Sequence, residues 1–266
     1  MEINFEDKTV VVIGGTSGIN LGIADKFAQS GARLAVASRS QKKVDEAINT
    51  LSKYKHHAIG YAGDVREYKV IEEIFKKFNQ QLGDIDILIS GAAGNFPAPA
   101  LGISSNGFKA VVDIDLVGTF HVMRSAYPFL KKPGASVINI SAPQAYIPLE
   151  FQVHVCAAKS GVDMVTKVLA MEWGVEGIRV NSISPGPISE TEGMKRLAPT
   201  EEILNATSES VPLKRIGTKV DIANTAMFLS SDYASYISGT VIPVDGGWSL
   251  GGASYLSSEM KKLFKI

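Results

Sequence analysis

One cysteine, Cys156, serves a chain of 266 residues. No intrachain disulfide can form, and such a chain suits a reducing compartment, here expected to be the cytoplasm. An excess charge of either sign is missing too: Lys+Arg and Asp+Glu each number 27. Without a basic field, neither nucleic acid nor an anionic membrane surface is expected as a partner. No apolar run approaches the roughly 18 residues that cross a bilayer. Residues 1–12 lack a charged start followed by a long apolar core, so no secretory leader is expected. Phe264-Lys265-Ile266 is not a peroxisomal address of the Ser-Lys-Leu type. Repeats, low-complexity tracts and linkers are absent as well, and no metal site is predicted.

What is present is a core. Hydrophobic residues make up 45% of the chain, enough for one sizeable α/β domain over 1–266. Apolar, β-branched runs predict buried parallel strands over 9–14, 34–38, 86–90, 136–141 and 179–184. Segments 56–62 and 240–245 read as two weaker ones. Helical periods fall near 19–30, 41–53, 66–81, 105–130, 152–174 and 219–231. This alternation predicts a single doubly wound, Rossmann-type parallel sheet with helices on both faces. Ligands in such sheets bind beyond the carboxyl ends of the strands. The stretch 186–216, with Pro187, Gly193, Pro199 and Pro212, breaks the rhythm and reads as a mobile cover over that site.

The first strand runs into Ile13-Gly14-Gly15-Thr16-Ser17-Gly18-Ile19-Asn20 at the start of a helix. Gly14 and Gly18 allow a tight turn, and the helix N-terminus then offers unpaired N–H groups to a pyrophosphate. Thr16, Ser17 and Ile19 complete this cradle. Sites that prefer NAD place an acid after the second strand to hold the ribose 2′-hydroxyl. Here that place holds Ser38, followed by Arg39. A guanidinium suits a 2′-phosphate, so NADPH is the expected cofactor.

These segments resemble the short-chain dehydrogenase/reductase family over roughly residues 5–248. The glycine pattern departs from the family's at two places, Ile13 for a threonine and Asn20 for the last glycine. The resemblance assigns Asp64 and Val65 to the adenine. It sets Ser90-Gly91-Ala92-Ala93-Gly94 where the family has Asn-Asn-Ala-Gly, with Ala92 and Gly94 beside the cofactor. It assigns Pro185, Gly186, Pro187 and Ile188 to the nicotinamide carboxamide. The family also groups Asn, Ser, Tyr and Lys around the nicotinamide. Counting from Lys159, the tyrosine position holds Val155, the serine position Ala142 and the asparagine position Asp115. Only Lys159 remains, to hold the nicotinamide ribose.

Carbonyl reduction forms an alkoxide that needs a proton as it forms, and losing the general acid costs on the order of 100- to 10,000-fold. A conjugated thioester relaxes the demand. Hydride adds to the far carbon, charge spreads to the thioester oxygen, and protonation follows at carbon. Four segments resemble the 2,4-dienoyl-CoA reductases, particularly the peroxisomal type: Ala92–Phe96, Asp113–Phe120, Gln152–His154 and Gly186–Arg196. That resemblance implies NADPH-dependent reduction of a 2,4-dienoyl-CoA to a 3-enoyl-CoA, a place in fatty-acid metabolism, and a homotetramer. It makes Asp115 the candidate that orients a proton-donating water, with a helix-kink residue as the structural alternative. For the acyl-CoA substrate it nominates Arg66, Phe96, Ser104, Ser105, Asn106 and Arg196. Tyr146 is a second candidate donor, two residues from the tyrosine position of mitochondrial-type reductases, which falls at Gln144. His154 and Cys156 read as packed side chains. The rival readings are another short-chain oxidoreductase, acting on an enoyl or carbonyl substrate, and a non-catalytic NADPH-binding sensor or scaffold.

Overall fold

The computed structural model describes residues 3–264. Seven strands form one parallel sheet: β1 (Thr9–Ile13), β2 (Arg33–Ser38), β3 (Ile59–Ala62), β4 (Ile87–Ser90), β5 (Ser136–Ile140), β6 (Arg179–Pro185) and β7 (Val241–Val244). Their order is β3-β2-β1-β4-β5-β6-β7, so the winding reverses between β1 and β4. Ile13 pairs with Ala37 on one side and Ser90 on the other, which leaves these strand ends level at the switch point. The doubly wound sheet is thus as the strand–helix alternation predicts. The weaker third strand shifts most, starting at Ile59 and not at residue 56, while the others differ by a residue at their ends.

Strands covered on both faces need apolar residues on both, which is why these segments show no period of two. In β1, Val10 and Val12 enter one core with Phe27 of α1 (Gly18–Gln29) and Ile222 of α9 (Lys219–Ser230). Val11 and Ile13 enter the other, with Phe75 and Phe78 of α3 (Tyr68–Leu82) and Val122 of α5 (Gly118–Ala126). Helix α2 (Gln41–Leu51) covers the β2 edge, with Ser40 accepting a hydrogen bond from the Lys43 amide at its N-terminus.

The predicted helix 105–130 is three pieces. It begins as α4 (Ser105–Val112), widens into a π turn over Asp113–Val117, and continues as α5 to Ala126. Helix α6 (Val153–Gly174) packs beside it.

Helices in three places were not read from the periodicity. Within 186–216 lie α7 (Glu192–Leu197) and α8 (Glu201–Ser210), and the chain closes with α10 (Gly252–Phe264). Thr191 and Thr200 cap the first two, accepting from the amides of Met194 and Ile203, and Glu201 and Glu202 sit at the positive end of α8. Met194, Ile203, Trp248, Leu256 and Met260 bury one another in a third cluster, separate from the two sheet cores.

Candidate active site

Two adjoining cavities open at the carboxyl ends of the strands, sharing Ser17, Asn20, Gly91 and Ala93. The first, about 480 Å³, is lined by Gly14, Thr16, Ser38, Arg39, Lys43 and Val65. Gly14 has φ +77°, and a Cβ there would meet the Ala92 amide nitrogen at 2.9 Å. Only a residue without a side chain lets these two loops approach so closely. Asn20, in the place of a family glycine, donates to the Gly91 carbonyl at 2.8 Å and fills the space a side chain at 91 would take. The Asn20 departure therefore fits the glycine at position 91.

The far end of this cavity is cationic. Thr16 Oγ1 donates to Ser38 Oγ at 2.9 Å, and the exposed Arg39 follows. Lys43, one turn into α2, lines the same wall and was not singled out from the sequence. Neither the Arg39 guanidinium nor the Lys43 ammonium makes a hydrogen bond or ion pair with other described residues. Two uncommitted cations beside a glycine cradle fit a nucleotide that carries an extra phosphate.

Arg66 is placed differently. Its guanidinium forks onto the Asp64 carboxylate, with contacts of 3.0, 3.1 and 2.6 Å, and lines neither cavity. The hydrogen bond from Arg66 holds the Asp64 carboxyl below its usual range, against the opposing effect of burial.

The second cavity, about 390 Å³, is lined by Asp115, Ala142, Gln144, Val155, Lys159 and Pro185–Ile188, among others. The π turn carries Asp115 to this cavity, and Thr119 Oγ1 donates to the Asp115 carbonyl. The Asp115 side chain is 1% exposed. Its Oδ1 accepts from the Gly94 amide at 2.7 Å, and its Oδ2 lies 3.2 Å from Lys159 Nζ. Lys159 Nζ donates to the Ile140 carbonyl at 3.0 Å. The Lys159–Asp115 contact is an ion pair without good hydrogen-bond angles, so Oδ2 has no hydrogen-bond partner of its own. The arrangement is a buried, charge-balanced pair with one carboxylate oxygen available for a further donor. Val155 and Ala142 give the cavity wall apolar surface where the wider family has two hydroxyls.

Three amides string along one side. Asn95 and Gln144 both donate to Gln152 Oε1, at 3.5 and 3.0 Å. Asn95 and Gln144 line the cavity and keep their own carbonyl oxygens unpartnered. Only position 144 was weighed from the sequence, and there for a missing tyrosine.

Tyr146 faces elsewhere. Its hydroxyl shares a hydrogen bond with Ser184 Oγ at 3.1 Å and lines an outer cleft, not the central cavity. The His154 ring is buried against Phe96, centroids 4.5 Å apart. Burial pushes its pKa below the ordinary imidazole range, against the Phe96 backbone and the Asp115 charge. Cys156 is half-buried, its Sγ 3.9 Å from the Leu149 carbonyl.

The residues nominated for an acyl-CoA are dispersed. Phe96 is half-buried and packs on Val111, Val155 and Ala158, behind the cavity wall. Ser104 caps α4 through the Gly107 amide at 3.0 Å, while Ser105 and Asn106 are exposed beside it. None of these three lines either cavity. Arg196 reaches from α7 to the Asn95 carbonyl at 2.6 Å, next to the central cavity.

Comparison with known proteins finds relatives along nearly the whole chain. The family model described as "Enoyl-(Acyl carrier protein) reductase" matches residues 14–249. A protein of Arabidopsis thaliana named peroxisomal 2,4-dienoyl-CoA reductase, (3E)-enoyl-CoA-producing, is 43% identical over 96% of this chain and 89% of its own. The Rattus norvegicus protein of that name is 41% identical over 91% of this chain and 84% of its own. A Bacillus subtilis protein named probable 2,4-dienoyl-CoA reductase, (2E)-enoyl-CoA-producing, is 38% identical over 91% and 96%. A short-chain dehydrogenase structure from Bacillus anthracis superposes with a TM-score of 0.81 at 39% identity, covering 91% of this chain and 96% of that one. In sheet order, glycine cradle, retained Lys159 and likeness over nearly its whole length, the chain belongs to the short-chain dehydrogenase/reductase family of oxidoreductases.

Proposed function

We propose that the protein reduces a 2,4-dienoyl-CoA to a 3-enoyl-CoA with NADPH. The observation that carries this reading is the Asp115–Lys159 pair facing a cavity whose tyrosine and serine positions hold Val155 and Ala142. NADPH supplies the hydride when bound. Ser38, Arg39 and Lys43 hold its 2′-phosphate, Gly14–Ile19 its pyrophosphate, and Lys159 and Pro185–Ile188 its nicotinamide half. Asp64 and Val65 border the adenine, and Ala92 and Gly94 the ribose side.

The acyl group lies against Val155 in the central cavity. Asn95 and Gln144 steady the thioester. An ionised carboxylate alone would repel a negatively charged dienolate, but the Lys159 ammonium 3.2 Å away offsets it. Asp115 Oδ2 then orients a water that protonates carbon. Outside the cavity, Arg196 meets the CoA phosphates, with Arg66 and Ser104–Asn106 along the approach and Phe96 backing the wall.

Purified protein mixed with a 2,4-dienoyl-CoA oxidises NADPH rapidly and NADH slowly, and NMR of the product finds the remaining double bond at carbon 3. Turnover of ketones in place of dienoyl thioesters would move the protein to another branch of the family. NADPH binding with no turnover on any substrate would favour a sensor. Arg39→Ala raises the KM for NADPH by about 10- to 100-fold, the worth of a charge-assisted hydrogen bond. It leaves that for NADH nearly unchanged, and equal shifts for both would remove Arg39 from phosphate recognition. Arg196→Ala raises the KM for the CoA thioester by several-fold. The KM for NADPH stays put, and a matching rise in both constants would sink the clamp.

A homotetramer is part of this proposal. Met164, Val168, Met171 and Val175 are 57%, 42%, 81% and 88% exposed along one face of α6 and its end. Such a stripe supports burial against a second copy. Light scattering gives the assembly mass directly. No described helix is long and apolar enough to cross a membrane. The cytoplasm remains the location proposed from composition. The Arabidopsis and rat relatives carry "peroxisomal" in their names, and a fluorescent fusion separates the two compartments.

A further inference from the structure

Asp163 lies one helical turn beyond Lys159 on α6 and belongs to no part of the site described above. It is 7% exposed. What exposure it has faces the outer cleft, which it lines with Tyr146, Ser160, Met164 and Lys167. On its inner side stands Ser141, at the end of β5, and Ser141 lines the central cavity beside Asp115 and Lys159. The buried Asp163 carboxyl therefore borders the outer cleft and the buried Ser141 hydroxyl borders the central cavity. Neither Asp163 Oδ1 nor Ser141 Oγ is committed to a hydrogen bond of good geometry. Nearby, Asn139 Nδ2 donates to Thr166 Oγ1 and Thr166 Oγ1 shares a hydrogen bond with Ser182 Oγ, each at 2.8 Å, while Asn139 Oδ1 has no partner.

Resting on the reductase reading, we propose that Asp163 and Ser141 form a proton relay that reloads the central cavity from the outer cleft at each turnover. The chain with a family tyrosine has a hydroxyl to carry protons inward, and Val155 cannot. When the substrate carbon takes a proton from the cavity water, the hydroxide left behind takes one from the Lys159 ammonium. Ser141 passes a proton to the neutral amine and accepts one from the Asp163 carboxylic acid. The Asp163 carboxylate recovers its proton from solvent in the cleft. One proton is drawn from solvent per turnover, as the reduction consumes.

The groups around Asp163 act on its proton affinity in opposite directions. Burial raises its pKa above the usual carboxylate range, and the Ser141 and Ser182 hydroxyls and the Lys167 and Lys159 ammonium groups offset this only in part.

Asp163→Asn keeps the shape and removes the proton. With a 2,4-dienoyl-CoA, it lowers kcat by about tenfold or more. It also increases the solvent deuterium isotope effect on kcat, while the single-turnover rate of NADPH oxidation holds. Asp163→Glu restores turnover. Independently of any substrate, an infrared difference between wild type and Asp163→Asn at neutral pH shows a protonated carboxyl band in the wild type alone. An unchanged kcat and isotope effect, equal slowing of the hydride step, or a missing band each overturn the relay. A wild type inactive on every dienoyl-CoA overturns the reductase reading and the relay's part in it. The infrared band still reports whether the buried acid exists, so the two failures are told apart.

Discussion

Asp115→Asn lowers kcat for 2,4-dienoyl-CoA reduction by about 100-fold or more, while the dissociation constant for NADPH stays within a few-fold. The magnitude is that of a lost general acid–base group. The substitution is chosen for what it keeps. An amide oxygen still accepts from the Gly94 amide, now at 2.7 Å, so the loop after β4 holds its place. What it removes is the charge that orients water at Oδ2 and balances Lys159. If Asp115 were only a residue that stabilises the π turn, Asn would serve nearly as well. The measurement is steady-state turnover beside fluorescence titration of NADPH. A variant with unchanged kcat removes Asp115 from the chemistry, and one that loses NADPH binding in proportion makes it a scaffold residue.

The second large effect is on stability. The Lys159 and Asp115 side chains are 7% and 1% exposed, so removing either partner leaves the other buried and uncompensated. Asp115→Asn or Lys159→Met alone costs about 3–5 kcal/mol, the usual penalty for breaking a buried pair from one side. The double variant costs much less than the sum, because no orphan charge remains. Buried pairs replaced on both sides are often near neutral in stability. Urea unfolding of the wild type, both singles and the double completes the cycle. Additive losses would show that the two groups act apart and that the 3.2 Å contact is incidental.

The sheet was legible because its strands are buried on both faces and read as plain apolar runs. The cofactor cradle was legible because a tight turn needs glycine at Gly14 and Gly18. Asp115 was legible as an acid out of place, though not its route into the cavity, since a π turn leaves no mark on residue spacing. Lys43 was not found because Lys42 and Lys43 stand side by side in sequence, and only the helix start at Ser40 decides which one faces the cavity. Asp163 was hidden in the middle of an apolar helical run. Tyr146 shows the reverse error: a chemically suitable side chain near the right number whose hydroxyl is engaged by Ser184 on another surface. Helices α7 and α8 were obscured by the prolines around them, although Thr200-Glu201-Glu202 is a serviceable start signal. Arg66 could not be assigned from sequence, because its fork onto Asp64 depends on a turn the spacing does not reveal.

The third apolar cluster divides the labour of selection. Met194, Trp248 and Leu256 line the central cavity, and Ile203 and Met260 share their cluster without lining it; none joins either core of the sheet. Changes among them alter how tightly that lining closes over an acyl chain, and leave the endurance of the sheet to Phe27, Phe75, Val11 and their neighbours. A lineage can therefore drift toward longer or shorter acyl chains without re-optimising the scaffold that carries the cofactor.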